Sequence, residues 1–160
     1  MHLVEAETTH GKLRGSRTAG VTTFKGVPYA GRISGDRRFR RPAELTPWSG
    51  VREALELGAP SIQSPRRNEP EPAEDCLFLN IWSPATASAG DGLPVMVWLH
   101  GGAYIFGSGS QPLYDGSTLA AESGVIVVTT NYRLGALGFT DLSGFDDRCE
   151  SNVGLRDVLA

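Results

Sequence analysis

Residues 94–110 read PVMVWLHGGAYIFGSGS, and this stretch decides the fold of the chain. Its first part, Pro94 to Leu99, places apolar side chains on both faces of an extended backbone, which predicts a strand buried on both sides in a parallel sheet. The strand ends in HGGA (100–103), where glycines allow a sharp turn and leave backbone N–H groups uncovered. N–H groups at the carboxyl end of a strand can bind an anion, or an oxygen that becomes one during a reaction.

The residues after this turn predict a strand–helix–strand unit. Residues 117–123 favour a short helix that Gly124 ends, and residues 125–130 form a β-branched strand. A helical crossover between two strands favours their parallel pairing, so we expect strand 94–99 to lie parallel to strand 125–130.

The other segments are short and broken by turns. Apolar residues at 77–82 predict a strand, for which a hairpin-like antiparallel pair with 94–99 is plausible. Four prolines exclude a helix through residues 58–75. The remaining segments are interpreted as short strands within 2–30, a short turn or helix at 48–57, a glycine-punctuated turn at 131–139 and the start of a helix at 153–160.

Composition and charge limit the class of protein. The 160 residues fit one domain with a real core, and the net charge of -3 gives no reason to expect nucleic acid or an anionic membrane as a partner. Five arginines within residues 31–50 fit a phosphate-binding patch or, as the favoured interpretation, a solvated loop with one or two arginines held by carboxylates. The sequence shows no N-terminal apolar signal and no membrane span, so we expect a cytoplasmic location, with a secreted form left open.

Motifs for hydrolytic chemistry are largely missing from the chain. No serine lies in G-x-S-x-G, and no S-x-x-K, H-E-x-x-H or metal-spaced Cys/His cluster occurs. His2 and His10 fall in the N-terminal strands, where a surface histidine is far commoner than a catalytic base. The residues therefore provide no pair of nucleophile and base, and they indicate neither a metal nor a cofactor.

The HGGA turn has three functional interpretations. A phosphate-binding loop needs the lysine of G-x-x-x-x-G-K-[ST], and a dinucleotide fingerprint needs G-x-G-x-x-G directly after the strand; both are missing. An oxyanion hole fits, because esterases place backbone donors in an HGGG-type loop after such a strand. A purely structural turn is the remaining alternative.

Longer motifs follow one another over almost the whole chain. They are FKGVPYA (24–30), RF (38–39), EDCLFLNIW (74–82), the stretch 94–110, YDGSTLA (114–120), VVTTNYRLGALGF (127–139) and NVGLRD (152–157). In this order they resemble the type-B carboxylesterase/cholinesterase family of α/β-hydrolases. The resemblance implies that residues 1–160 are the N-terminal portion of a single carboxylesterase domain with an α/β fold. Its mixed sheet with crossover helices would be preceded by a small β region at 1–30.

The resemblance assigns roles to residues of the glycine turn. The N–H groups of Gly102 and Ala103 match two oxyanion-hole donors of the family, and Gly101 shapes the turn. Small side chains at both donor positions leave room for the carbonyl oxygen that the donors must reach. Tyr104 and Phe106 match residues of the substrate-pocket wall, with plain core aromatics as the alternative.

The resemblance also implies structural features away from this turn. Two family ion pairs match Arg38 with Glu74 and Arg133 with Asp157, where they pin irregular loops onto the sheet. Family members with a disulfide pair the cysteine of EDCL with one upstream, which this chain lacks, so Cys76 is expected to be free. The proline-rich loop lacks the tryptophan with which cholinesterases hold quaternary ammonium, which argues for a bacterial-type general esterase.

The implied function is that of a serine esterase that transfers the acyl group of a small carboxylic ester without a cofactor. The family's serine, acid and histidine have no counterpart in the chain, so we expect the fold to be incomplete and the 160 residues alone to be inactive. The remainder of the fold, as a C-terminal part or a second chain, is the expected partner, and strand 125–130 is expected to leave an apolar edge. A non-catalytic cholinesterase-like adhesion or scaffold domain and a nucleotide-binding α/β domain are the alternatives.

Overall fold

A seven-stranded mixed sheet organises the chain, of which the computed structural model describes residues 1–160. Three short helices accompany the sheet, and none of them is long and apolar enough to cross a membrane. The strands are β1 (His2–Thr8), β2 (Gly11–Thr18), β3 (Val21–Pro28), β4 (Val51–Glu53), β5 (Phe78–Pro84), β6 (Val95–Leu99) and β7 (Ile126–Thr130). The helices are α1 (Ser117–Ser123), α2 (Gly135–Phe139) and α3 (Val153–Val158).

The strands lie in the order β1-β2-β3-β5-β7-β6, with β4 beside β2. The pairs along this path are antiparallel except β6–β7, which is parallel like β2–β4. The parallel unit β6–α1–β7 predicted from the helical crossover is confirmed, as are helices within 117–123 and 153–160. Strands β1 to β3 belong to the same sheet, so region 1–30 forms one side of it.

The predicted hairpin between β5 and β6 is wrong. β5 lies in the middle of the sheet, where it pairs antiparallel with β3 on one side and with β7 on the other. The apolar pattern of residues 77–82 correctly indicates burial, since Leu77 and Trp82 are each 3% exposed. Such a pattern does not specify the neighbouring strand, and the long connection from Pro84 to Pro94 allows the chain to reach the far side of β7.

β6 forms the edge of the sheet. All five of its residues are exposed, from 38% for Met96 to 59% for Val97. Two expectations are therefore wrong: residues 94–99 are not buried on both sides, and the apolar edge is β6 rather than β7, which has a strand on each side. The physical reason is that apolar side chains on both faces make a strand suited to burial, but the 160 residues leave β6 exposed apart from contacts such as that of the Trp98 ring with Tyr114, at 5.3 Å between centroids.

Two short segments also differ from the prediction. Residues 51–53, expected in a turn or helix, extend as β4, because the Ala54 N–H donates to the Arg14 carbonyl at 2.7 Å and holds this segment beside β2. Residues 135–139 form α2 inside the expected turn. The loop 58–75 contains no helix, as its prolines require.

Helix α1 contacts the sheet at close range. Ala120 is fully buried in a cluster with Trp82 of β5 and Val127 of β7. Directly before the helix, a Cβ added to Gly116 would lie 2.6 Å from the Cβ of Val127, which only glycine avoids without a shift of the backbone. The entry of the crossover helix therefore rests directly on β7 and fixes the parallel unit.

Two bidentate ion pairs connect the irregular segments. Arg133 meets Asp157 of α3 with Nη2–Oδ1 and Nε–Oδ2 distances of 2.6 and 2.8 Å, and its backbone N–H donates to Oδ2 at 3.0 Å. These side chains are only 4% and 0% exposed. The second pair joins Arg38 Nε to Glu74 Oε2 at 2.7 Å in a more exposed setting. Within the arginine-rich segment, carboxylates hold Arg32, Arg38 and Arg41 through Asp36, Glu74 and Glu150.

Both cysteines are free, and they differ in burial. Burial raises the pKa of the Cys76 thiol to about 12, whereas Cys149 is partly exposed. Because the thiolate is the reactive form, we expect Ellman's reagent at pH 8 to titrate one thiol per folded chain and the second only in urea. The Cys149→Ser variant should show no reactive thiol when folded. Equal rates for both thiols in the folded chain would contradict this prediction.

Candidate functional site

The glycine loop, residues 101–107, follows β6 through His100. The N–H groups of residues 102–104 have no hydrogen-bond acceptor, while the Gly102 carbonyl accepts from Ile105 N–H at 3.0 Å and from Phe106 N–H at 3.2 Å. The loop therefore satisfies a carbonyl internally and leaves successive N–H donors free. This is the arrangement expected of a turn that binds a negatively charged oxygen.

The backbone of the glycine loop is strained. Gly102 has φ +127°, and Ala103 and Tyr104 have φ +53° and +64°, in the left-handed region that side chains disfavour by about 1–2 kcal/mol per residue. A Cβ added to Gly102 would lie 1.8 Å from the Phe106 carbonyl oxygen, so no other residue fits this conformation. Consecutive strained residues of this kind are typical of functional sites, where the surrounding structure holds them in place.

His100 supports the entry of the loop. Its Nδ1 lies 2.9 Å from the Gly101 carbonyl oxygen, which only accepts, so Nδ1 carries the proton. The ring stacks on Tyr132 with centroids 4.6 Å apart, and the Tyr132 hydroxyl donates to the His100 carbonyl at 2.9 Å. Burial lowers the pKa of the imidazole, so His100 is neutral at pH 7, with its Nε2 buried and unpartnered. The side chain thus acts as a support for the turn.

A cavity of about 430 Å³ lies beside the glycine loop. Residues 99–104 form one wall, and Phe139 and Leu155 from α2 and α3 contribute to the other. The Tyr104 ring packs against Phe139 with centroids 4.9 Å apart. Phe106 does not line this cavity, and the Arg66 guanidinium lies 5.1 Å above its ring instead.

Tyr104 and Phe106 are both exposed in this chain. Their exposed fractions are 63% and 49%. Tyr104 lies on the cavity wall, whereas Phe106 faces the proline-rich loop. The structure therefore separates two side chains that the sequence grouped together.

The return segment, residues 107–110, is fully buried and held by polar side chains. The Gly109 N–H donates to Asn131 Oδ1 at 2.8 Å, and the Gly109 carbonyl accepts from Thr129 Oγ1 at 2.7 Å and from Asn80 Nδ2 at 3.3 Å. Sequence reasoning missed these supporting residues. An asparagine in the middle of the apolar motif EDCLFLNIW is the signal that points to such a buried amide, because an unpaired amide is costly to bury.

No nucleophile and base come together in these 160 residues. The one contact between a hydroxyl and an imidazole joins Thr9 Oγ1 to His10 Nδ1 at 3.1 Å, on the exposed turn between β1 and β2. No group of three His, Cys, Asp or Glu side chains converges as a metal site would require. The arrangement can therefore donate hydrogen bonds to an oxygen, but it contains no group placed to attack a substrate.

A mixed sheet with a β6–α1–β7 crossover and a free-donor loop at the carboxyl end of β6 is characteristic of the α/β-hydrolases. The Carboxylesterase family model matches residues 2–160. The chain belongs to the carboxylesterase family, as its motifs predict.

Characterised relatives and solved structures agree with this family. The chain is 45% identical to the para-nitrobenzyl esterase of Bacillus subtilis over 159 residues, and 45% identical to the fumonisin B1 esterase of Sphingopyxis macrogoltabida over 148 residues. These matches cover 96% and 88% of the chain. Among solved structures, a PNB esterase superposes with a TM-score of 0.90 at 43% identity, and the Geobacillus stearothermophilus carboxylesterase with 0.87 at 44% identity.

The matched region is only part of these proteins. The chain covers 32% of the Bacillus esterase and 27% of the fumonisin B1 esterase, and 33% and 32% of the two solved chains, while 96% of this chain is covered in each structure. The chain thus spans about a third of the length of the relatives it matches. It corresponds to the N-terminal portion of their α/β-hydrolase fold.

Proposed function

We propose that the chain supplies the oxyanion-binding loop of a serine carboxylesterase that acts on small carboxylic esters. The observation that carries this proposal is the row of free N–H groups at residues 102–104, beside a cavity lined largely by apolar side chains. Family membership supports an ester hydrolase over a nucleotide-binding domain.

The proposed donors are the N–H groups of Gly102 and Ala103. When a serine attacks an ester carbonyl, the oxygen becomes an alkoxide, and preorganised N–H donors stabilise it without further movement. Each such donor contributes about 10²–10³ to the rate. The small side chain of Ala103 leaves its N–H open, and Tyr104 forms part of the wall against which the acyl or alcohol group would pack.

The other half of the reaction is assigned to groups outside these residues. A serine nucleophile, its histidine base, the acid that orients the histidine and a third oxyanion donor would come from the remainder of the fold. Acyl transfer of this kind needs no metal and no organic cofactor. The ion pairs Arg38–Glu74 and Arg133–Asp157 have a structural role in this proposal, because none of the four side chains lines the cavity.

The 160-residue chain alone is expected to be inactive. Burst titration with p-nitrophenyl acetate should release no stoichiometric p-nitrophenol, because the one hydroxyl in contact with an imidazole, that of Thr9, lies on the β1–β2 turn and not in the cavity beside the glycine loop. A burst of one p-nitrophenol per chain would show that a nucleophile is present and overturn this expectation.

A fusion protein tests the proposed contribution directly. The chain is joined to the part of the Bacillus subtilis para-nitrobenzyl esterase that follows the matched region, and the intact Bacillus esterase serves as the reference. We expect the fusion to hydrolyse p-nitrophenyl acetate with a burst. A fusion that folds and is acylated at its serine only at the rate of a free alcohol would contradict an oxyanion role for the glycine loop.

A further inference from the structure

The glycine loop leaves its strained segment at Gly107, where one side chain holds both backbone groups. The Gly107 N–H donates to Gln63 Oε1 at 2.8 Å, and Gln63 Nε2 donates to the Gly107 carbonyl at 2.8 Å. The side-chain amide of Gln63 therefore bonds to Gly107 in the way that a backbone residue of a neighbouring strand would. Within the loop, the only other side-chain hydrogen bond is the internal one from His100 to Gly101.

Gly107 is in direct contact with the entry of the same loop. A Cβ added to Gly107 would lie 2.4 Å from the Gly101 carbonyl oxygen and 2.4 Å from His100 Nδ1. The two ends of the loop therefore touch, and the position of Gly107 fixes the position of Gly101. The segment between them has one further external hydrogen bond, from Gly135 N–H to the Tyr104 carbonyl at 2.7 Å.

Gln63 is itself firmly placed. Its Nε2 also donates to the Ser61 carbonyl at 3.1 Å, so the orientation of the amide is fixed at three points. Ser61 is 2% exposed, and its Oγ accepts from the Leu134 N–H at 3.0 Å. The proline-rich loop is thereby attached to the segment after β7, and through Gln63 to the glycine loop.

We infer that Gln63 is a positioning residue that clamps Gly107 and so holds the N–H groups of Gly102 and Ala103 in their strained orientation. Gln63 makes the only side-chain hydrogen bonds at Gly107, where the strained segment ends. The other supports act elsewhere: Gly135 holds the Tyr104 carbonyl, and Asn131, Thr129 and Asn80 hold Gly109. The catalytic meaning of this clamp rests on the proposed oxyanion function, whereas the clamp itself is a property of the chain alone. The clamp is therefore testable without any activity.

The test uses the ¹⁵N-labelled 160-residue chain and its Gln63→Met variant. Methionine keeps the length of the side chain and removes both hydrogen bonds to Gly107, together with the one to the Ser61 carbonyl. We expect the Gly107 amide to exchange with solvent about ten- to thirty-fold faster, as the loss of two net hydrogen bonds implies. The ¹H–¹⁵N heteronuclear NOE of Gly102 and Ala103 should fall to that of a mobile loop, while amides in β3 and β5 stay protected.

The matched control is Gln111→Met. Gln111 is the other glutamine of the chain, and its side chain makes no hydrogen bond. This variant should leave the exchange rate of Gly107 and the NOE of residues 102–103 as in the parent chain. If Gln63→Met speeds exchange at Gly107 but leaves the NOE of residues 102–103 unchanged, Gln63 merely caps Gly107 and the inference is overturned.

The Gln63→Glu variant provides a pH-dependent readout that a merely structural contact would not give. At pH 7 its carboxylate can accept from the Gly107 N–H but cannot donate to the Gly107 carbonyl, so the loop should be mobile. At pH 4 the protonated carboxyl can do both, and the NOE of residues 102–103 should recover. A NOE that stays low at pH 4, with β3 still protected, would contradict a clamp made of two hydrogen bonds to Gly107. If the clamp is confirmed and the fusion protein shows no oxyanion effect, only the proposed function fails.

Discussion

Asp157→Asn is expected to lower the free energy of unfolding by about 3–5 kcal/mol, because it leaves the buried Arg133 guanidinium without its counter-charge. Three hydrogen bonds from Arg133 end on this carboxylate, and both side chains are almost completely buried. An amide has only one acceptor oxygen, and its NH₂ group would face an N–H donor of Arg133. Since small domains are stable by only about 5–15 kcal/mol, much of the variant should be unfolded at 37 °C. Urea unfolding followed by circular dichroism measures the loss.

Two further variants show whether burial is the cause. Asp146 and Arg148 form an equally bidentate pair on the surface, so Asp146→Asn should leave the urea midpoint unchanged within error. The double variant Arg133→Met with Asp157→Leu should be more stable than Asp157→Asn, because it leaves no buried charge unpaired. It should not reach the stability of the parent, because the backbone N–H of residue 133 loses its acceptor and the Arg40 carbonyl its donor. An Asp157→Asn chain as stable as the parent would show that the pair does not hold α3 to the sheet.

Gly102→Ala in the fusion with the Bacillus subtilis esterase is expected to lower kcat for p-nitrophenyl acetate by about 10²–10³. The added Cβ would lie 1.8 Å from the Phe106 carbonyl oxygen, so the loop must change its conformation and turn its N–H groups away from the reacting oxygen. Because the serine and its base remain, acylation continues slowly and the loss falls on the chemical step. Steady-state kinetics together with active-site titration separates this effect from loss of folded enzyme.

Gly144→Ala is the matched control for this substitution. Gly144 has no heavy atom within 4 Å of an added Cβ and an ordinary φ, and it lies outside the glycine loop. The control should keep the parent kcat and the parent melting temperature. Gly102→Ala with kcat within threefold of the parent would remove Gly102 from the oxyanion hole.

The predictable part of the fold is the part encoded by local pattern. The strand–helix–strand unit follows from an apolar run, a short helix ended by Gly124 and a β-branched run, and all three features lie within residues 94–130. The neighbours of β5 were not predictable in this way, because its pairing with β7 joins segments that are distant in the chain. The exposure of β6 is not predictable for the same reason. Its apolar faces show that the strand is suited to burial, but whether other segments cover it depends on residues outside the strand.

The candidate site shows the same difference between features encoded by local sequence and contacts made by distant segments. The HGGA motif and the family resemblance identified the loop and both proposed donors, because glycine at 102 is required by the backbone itself. The supports of the loop come from elsewhere: Gln63 from a loop read only as proline-rich, and Asn131 from the end of β7. A single polar residue that reaches a distant backbone leaves no periodic signal, so only the folded structure shows what it holds.

The uncovered β6 has a consequence for synthesis on the ribosome. The hydrogen bonds that hold the glycine loop from outside come from Gln63 and Gly135. In a protein of the relatives' length, they can form before the C-terminal two thirds of the chain has been translated. At about 5–20 residues per second, the remaining two thirds of such a chain take tens of seconds to emerge. Throughout that interval β6 presents an uncovered apolar strand edge, a surface through which incompletely folded chains aggregate.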